Sequence, residues 1–142
     1  IGYMEIISLN GTEKRLYELV APLVMNPAVL RQNNNYPFKT SHRHRWFIAV
    51  DSYGEVAGFM PVKCSSDRPC IDNYYIRGDR DEAIDLLLDA IKAVPEYNGK
   101  FTAVVHKRHV AAFARNGFST YLEWKNYNKM DYNARTGYGT KT

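Results

Sequence analysis

Ile84, Leu87, Leu88, Ile91 and Val94 recur at helical spacing, making one continuous apolar stripe that Pro95 brings to an end. A helix with a single apolar face gains most of its stability by laying that face against other elements. A few residues later, Phe101 to Val105 read as a strand of the buried type, with no polar alternation. An amphipathic helix beside a buried strand restricts the chain to folds in which helices cover a sheet. The fold class expected is therefore α/β in the broad sense that includes α+β.

The remainder of the chain fills in that frame. Residues 4–9 are apolar enough for a first strand. Asn10-Gly11-Thr12-Glu13 has capping-box spacing, with Asn10 accepting backbone donors and Glu13 reaching back. Leu16, Leu19, Val20, Leu23 and Val24 share the face of the helix that follows, and Pro22 is expected to kink or shorten it. Asn26-Pro27 starts a second short helix, a cap followed by proline at the first helical position. Residues 32–45 are polar and read as a long loop, a type of segment often tied to function. Residues 46–50 and 55–63 form a hairpin around Asp51-Ser52-Tyr53-Gly54, and residues 70–76 form the next strand. Residues 110–115 are a short helix closed by Asn116-Gly117, and residues 118–132 hold two further strands around Lys125-Asn126. Residues 1–133 read as a single domain and residues 134–142 as a flexible Gly/Thr-rich tail.

At 142 residues one core suffices, and 45% hydrophobic with 24% charged residues is ordinary globular composition. No apolar run approaches the ~18 residues of a membrane span. Residues 1–10 lack the pattern of a secretory signal, so the cytoplasm is the expected compartment, with Ile1, Gly2 and Tyr3 as remnants ahead of a natural start at Met4. Cys64 and Cys70 bracket a turn-like segment. They read as reduced thiols, their pairing left open, and no zinc site is expected from two cysteines alone. A nucleophile elbow, a Walker loop and a metal-spaced His/Glu motif are all absent from the sequence. The net charge of +4 permits an acidic partner such as nucleic acid. Among the eleven tyrosines, Tyr36, Tyr53, Tyr127, Tyr132 and Tyr138 lie in polar surroundings that suit a wet rim as well as a core.

The order strand, two helices, three strands, helix, strand, helix, hairpin resembles the GNAT acyltransferase superfamily over residues 4–132. Two segments carry the likeness. One is the strand 70–76 running through Arg77-Gly78 into the amphipathic helix. The other is Val104-Val105-His106 followed by Ala111-Ala112-Phe113-Ala114-Arg115-Asn116-Gly117-Phe118. The resemblance implies a central mixed, mostly antiparallel sheet of about six to seven strands flanked by about four helices. It further implies acetyl-CoA or a related acyl-CoA as donor, no metal, and direct transfer to an amine. Donor contacts are then expected at Ile76, Arg77, Gly78, Asp79, Arg80, Ala83 and Phe113, with the pyrophosphate on backbone amides at the helix start.

The residues depart from the family pattern at those places. Asp81 stands where a glycine is usual, Gly78 where Arg or Gln is usual, His106 at the usual Asn, and Phe113 at a Tyr credited with protonating the leaving thiolate. Asp79 and Glu82 also have capping-box spacing, so a capped helix that holds no phosphate is the competing reading. Amine acylation needs a base, for which Asp72 and His106 are candidates against solvated and structural roles, and Tyr127 or Tyr121 could replace the missing tyrosine. His42, Arg43, His44, Arg45 and Trp46 form the most basic stretch. They are placed to contact an acceptor or the phosphates and bases of nucleic acid, or simply to form a solvated loop. Lys107-Arg108-His109 is a second basic spot. Three functions are thus open: N-acyl transfer, a binding or structural module that has lost its donor, and a nucleic-acid-modifying transferase. A phage origin suits so small and divergent a chain. An open gap between the strands 70–76 and 101–105 favours catalysis, and a filled gap favours the binding module.

Overall fold

Eight strands run in the order β1-β2-β3-β4-β6-β8-β7, with β5 beside β3, in a computed structural model that describes residues 3–64 and 68–134. The elements are β1 (Met4–Asn10), α1 (Lys14–Val24), α2 (Pro27–Gln32), β2 (His44–Asp51), β3 (Val56–Lys63), β4 (Cys70–Ile71), β5 (Tyr75–Ile76), α3 (Asp81–Lys92), β6 (Lys100–His106), α4 (Val110–Arg115), β7 (Ser119–Glu123) and β8 (Tyr127–Asn133). All pairings are antiparallel except β4 with β6. The expected tail beyond residue 134 and the turn at 65–67 lie outside the described residues. No helix among those described is long and apolar enough to cross a membrane.

The sheet is covered on both faces, which is why Trp46, Phe47, Ile48 and Ala49 in β2 are all buried without alternation. Leu16, Val20 and Val29 from α1 and α2 pack with Trp46, Ile48 and Phe59 on one face. Ile84, Leu87, Leu88 and Ile91 of α3, with Phe113 of α4, pack with Phe47, Phe101 and Val105 on the other. The stripe read from the sequence is thus the core-facing side of α3.

Several expectations change in detail. The Asn10 side chain does not cap α1, which starts after Glu13; Glu13 alone reaches back, its Oε1 accepting the Asn10 N–H at 2.7 Å. Asn26 does cap α2, accepting the Ala28 N–H at 2.8 Å. In β6, Phe101, Ala103 and Val105 are buried while Thr102 and Val104 are partly exposed, so the strand alternates after all. Its second face, with Thr102 and Val104, borders a cleft. The strand 70–76 is broken: Asn73 adopts φ 53°, and the chain steps outward between β4 and β5. Counting those two pieces separately raises the strand number to eight.

That step governs the site. β4 pairs with β6 only through Cys70–Thr102 and Ile71–Ala103. Both halves stay on β3, β4 with Ile71 opposite Val62 and β5 with Tyr75 opposite Phe59 and Ile76 opposite Gly58, while β5 has no partner in β6. The strands therefore splay apart at Asp72, Asn73 and Tyr74, residues that belong to neither ladder.

Candidate functional site

At the splay, successive residues serve opposite sides of the sheet. Asp72 and Asn73 line a cleft of about 600 Å³ on the α1–α2 side, walled also by Tyr36, His44, Trp124 and Tyr127. Tyr74 turns the other way and is 1% exposed. Its hydroxyl accepts the His106 backbone N–H at 3.1 Å and meets His109 Nδ1 at 2.7 Å. Asp79 Oδ1 lies 2.7 Å from His109 Nε2 and accepts Arg108 Nε–H at 2.9 Å. With His109 donating from Nε2 to Asp79, its Nδ1 accepts a hydrogen bond from the Tyr74 hydroxyl, and every member of the chain is satisfied.

This network fills the space where the resemblance puts a donor. The Tyr74 ring lies 5.6 Å from Phe113 and 5.1 Å from His106, bridging the gap between β5 and β6. At the start of α3 the cations are already engaged: Arg77 with Asp51 at 2.9 Å, Arg80 with Glu82 at 2.9 Å, Arg108 with Asp79 at 2.9 Å, and Arg115 with Asp85 at 2.7 Å. Asp81 and Glu82 add negative charge in the first turn. Ile76 is 1% exposed and Ala83 fully buried, both in the core. These pairs are solvent-exposed and cheap to displace, so what opposes a pyrophosphate here is the like charge of Asp79, Asp81 and Glu82 around the helix start. Nor is Asp79 a helix cap. Gly78 and Asp79 both take positive φ (66° and 53°), a turn that a side chain at 78 would strain, and the Asp79 carboxylate meets Arg108 and His109 just ahead of α4.

The cleft side is built differently. Burial pushes the Asp72 carboxyl above the usual range, opposed by the Asn73 amide and the charges of Lys129, His44 and Lys63. Its surface still reaches solvent; the crowding comes from the cleft walls. Burial and Lys63 hold His44 down, and Ser41 Oγ binds its Nδ1 at 2.8 Å. The Tyr127 hydroxyl is raised by burial and accepts Asn34 Nδ2–H at 2.9 Å. Burial also raises the Cys70 thiol. Both cysteines are free. Among the described residues no group of three or more His, Cys, Asp or Glu is placed to hold a metal.

The sequence-level candidates therefore separate. Asp72 and Tyr127 share the cleft. His106 lies behind Tyr127, ring to ring at 5.0 Å, 3% exposed, and pushed down to about 4 by burial, Arg108 and His109. It is a weak base packed off the cleft wall. The basic stretch disperses as well. Only His44 reaches the cleft, while Arg45 donates to Ser8 Oγ at 2.6 Å and lies over the Phe47 ring. Trp46 offers no face for stacking: it is 2% exposed and donates its indole N–H to Thr40 Oγ1 at 2.9 Å. His42 and Arg43 sit exposed in a turn closed by His44 N–H to Ser41 O, so His42 and His44 do not share an extended face. Tyr121 is 51% exposed on β7 and outside the cleft wall. Tyr74, Lys63, Lys129 and Trp124 escaped sequence reasoning; each stands in an ordinary strand or turn pattern, and only the splay gives it meaning. Of the polar-context tyrosines, Tyr36 and Tyr127 proved to be rim, and Tyr132 packs on Phe101 at 5.1 Å.

No family model matches the sequence, and no curated protein matches it. Solved structures do match in shape. A putative N-acetyltransferase from Lactobacillus plantarum is 10% identical, with 92% of this chain and 97% of that chain covered and a TM-score of 0.67. The ribosomal-protein-S18-alanine N-acetyltransferase from Escherichia coli is 16% identical over 92% of both chains, TM-score 0.61. The PaiA N-acetyltransferase from Thermoplasma acidophilum, solved in complex with coenzyme A, is 15% identical over 91% of this chain and 98% of that one, TM-score 0.54. At such identities the likeness is one of architecture, and in architecture this chain has the GNAT fold.

Proposed function

We propose that the protein binds an amine-bearing ligand in the cleft, with Asp72 accepting the amine's hydrogens, and works without a CoA seat. One observation carries this reading: at Tyr74 the two sides of the splay part company, the acceptor side open and the donor side filled. A carboxylate on the wall of a partly apolar cleft is a strong hydrogen-bond acceptor for an N–H group. The test is calorimetric titration of the purified protein with acetyl-CoA, alongside Trp124 fluorescence titrations with a panel of amines. No heat with millimolar acetyl-CoA and saturable fluorescence changes with some amines are expected. Micromolar acetyl-CoA binding would overturn the reading.

That second outcome leads to N-acyl transfer from acetyl-CoA or a related acyl donor to the amine. Support for it comes from acetyltransferases of the same architecture and from Asp72 and Tyr127 facing one cleft. Asp72, raised by burial, would then take the amine proton. Turnover with acetyl-CoA, abolished by Asp72→Ala, distinguishes this reading from binding alone.

A further inference from the structure

The cleft's charge and its aromatic rim say more about the ligand. Lys39, Lys63 and Lys129 line it against one carboxylate, Asp72. None of the three lysines forms an ion pair among the described residues, and Lys129 Nζ lies 5.2 Å from the Trp124 ring. Asp72 too is outside any ion pair among the described residues. An alkyl ammonium such as a polyamine or a lysine side chain arrives cationic and meets a cationic cleft, which disfavours it. The amine that suits this site is uncharged at neutral pH and travels with negative charge.

Flat surfaces surround the same opening. Trp124 is 47% exposed and Tyr36 56% exposed, large hydrophobics left in water at the cleft mouth. The Tyr36 and Tyr127 rings lie 6.3 Å apart at 45°, and Asn34 steadies the Tyr127 hydroxyl. The volume of about 600 Å³ falls in the range of small-ligand sites, about 300–1,000 Å³. Beyond His44, the exposed Arg43 continues the positive surface.

We propose that the cleft receives an amino-bearing nucleobase of single-stranded nucleic acid, stacked at the aromatic rim, with its exocyclic amino group on Asp72 and its phosphates near Lys39, Lys63 and Lys129. The amino group of cytosine or adenine is neutral and donates two hydrogens, which matches a carboxylate acceptor. Stacking tolerates any base, whereas Asp72 selects those with an amino group. Duplex DNA hides that group in a pair and does not enter the cleft. This inference rests on the cleft being the working site proposed above.

The experiment is fluorescence anisotropy with short labelled oligo-dC and oligo-dT at several salt concentrations. Oligo-dC should bind about tenfold tighter than oligo-dT, because thymine carries an oxygen where cytosine carries the amino group. Asp72→Ala should erase that preference, and Trp124→Ala should weaken both oligomers about tenfold. Lys63→Ala with Lys129→Ala should flatten the salt dependence by about 1.4 in log–log slope. Thermal melts check that these substitutions leave the fold intact. Equal binding of oligo-dC and oligo-dT, effective competition by duplex, or free dCMP as tight as the strand would each overturn the inference. No oligomer binding together with a saturable response to a non-nucleotide amine sinks this inference and leaves the cleft reading standing. No response to either sinks both.

Discussion

The hydroxyl of Tyr74 accepts the backbone N–H of His106 at 3.1 Å, beyond the point where the β4–β6 ladder ends. One side chain thus closes a sheet that its own backbone has opened. The same hydroxyl reaches His109 at 2.7 Å, so strand, helix entry and loop are tied at one oxygen.

Tyr74→Phe should therefore be costly despite its near-identical shape. It leaves the His106 N–H and His109 Nδ1 without partners in a region where both residues are nearly fully buried. Each orphaned group costs about 1–3 kcal/mol. Urea denaturation should register a loss of about 2–6 kcal/mol for the two, and an unchanged midpoint would mean that water replaces the hydroxyl.

Acid should weaken the fold through His106. Its folded value, about 4, lies below the ordinary 6.5, so the neutral ring is the form the folded state favours. The contribution is complete above about pH 6.5 and is lost as pH falls toward about 4, up to about 3 kcal/mol. His109, also lowered by burial, acts in the same direction. Thermal melts across this window should fall more steeply for the wild type than for His106→Asn. Parallel curves would place the acid sensitivity elsewhere.

Asp72 should titrate above the ordinary carboxyl value of 3.8, because the cleft walls desolvate it. Lys129 is the side-chain charge that most opposes this shift. Carboxyl carbon NMR should show Asp72 moving further upward in Lys129→Ala. A downward or absent change would mean that the lysine points away in solution.

Gly58→Ala probes the splay from the other edge. A Cβ at position 58 would come within 2.8 Å of the Tyr75 carbonyl oxygen, where β5 lies on β3. Relief requires β5 to move off, at a cost of about 1–3 kcal/mol. Hydrogen exchange at Ile76 should speed up in this variant; unchanged protection would show that the ladder absorbs the methyl.

Much of the architecture was legible because it rests on local pattern. The α3 stripe, the Asn26-Pro27 start and the Asn116-Gly117 stop each express a backbone or solvation rule within a few residues, and all three hold in the structure. Arg77 to Glu82 was harder. Their charges fit a phosphate loop and a capped helix equally well, and the outcome, carboxylates pairing with Arg108, Arg115 and His109, depends on contacts some 30 residues away in sequence.

By itself the sequence determined that helices cover a sheet, in what order, and which faces are apolar, since periodicity reports burial directly. Only the tertiary structure decided which side of the splay is open. Asp72 and Tyr74 are two residues apart, yet Asn73 at φ 53° breaks the strand between them and sends one to the cleft and the other into the core. No periodicity records such a break, because it is set by tertiary pairing: β3 holds both halves of the strand, while β6 holds only the first.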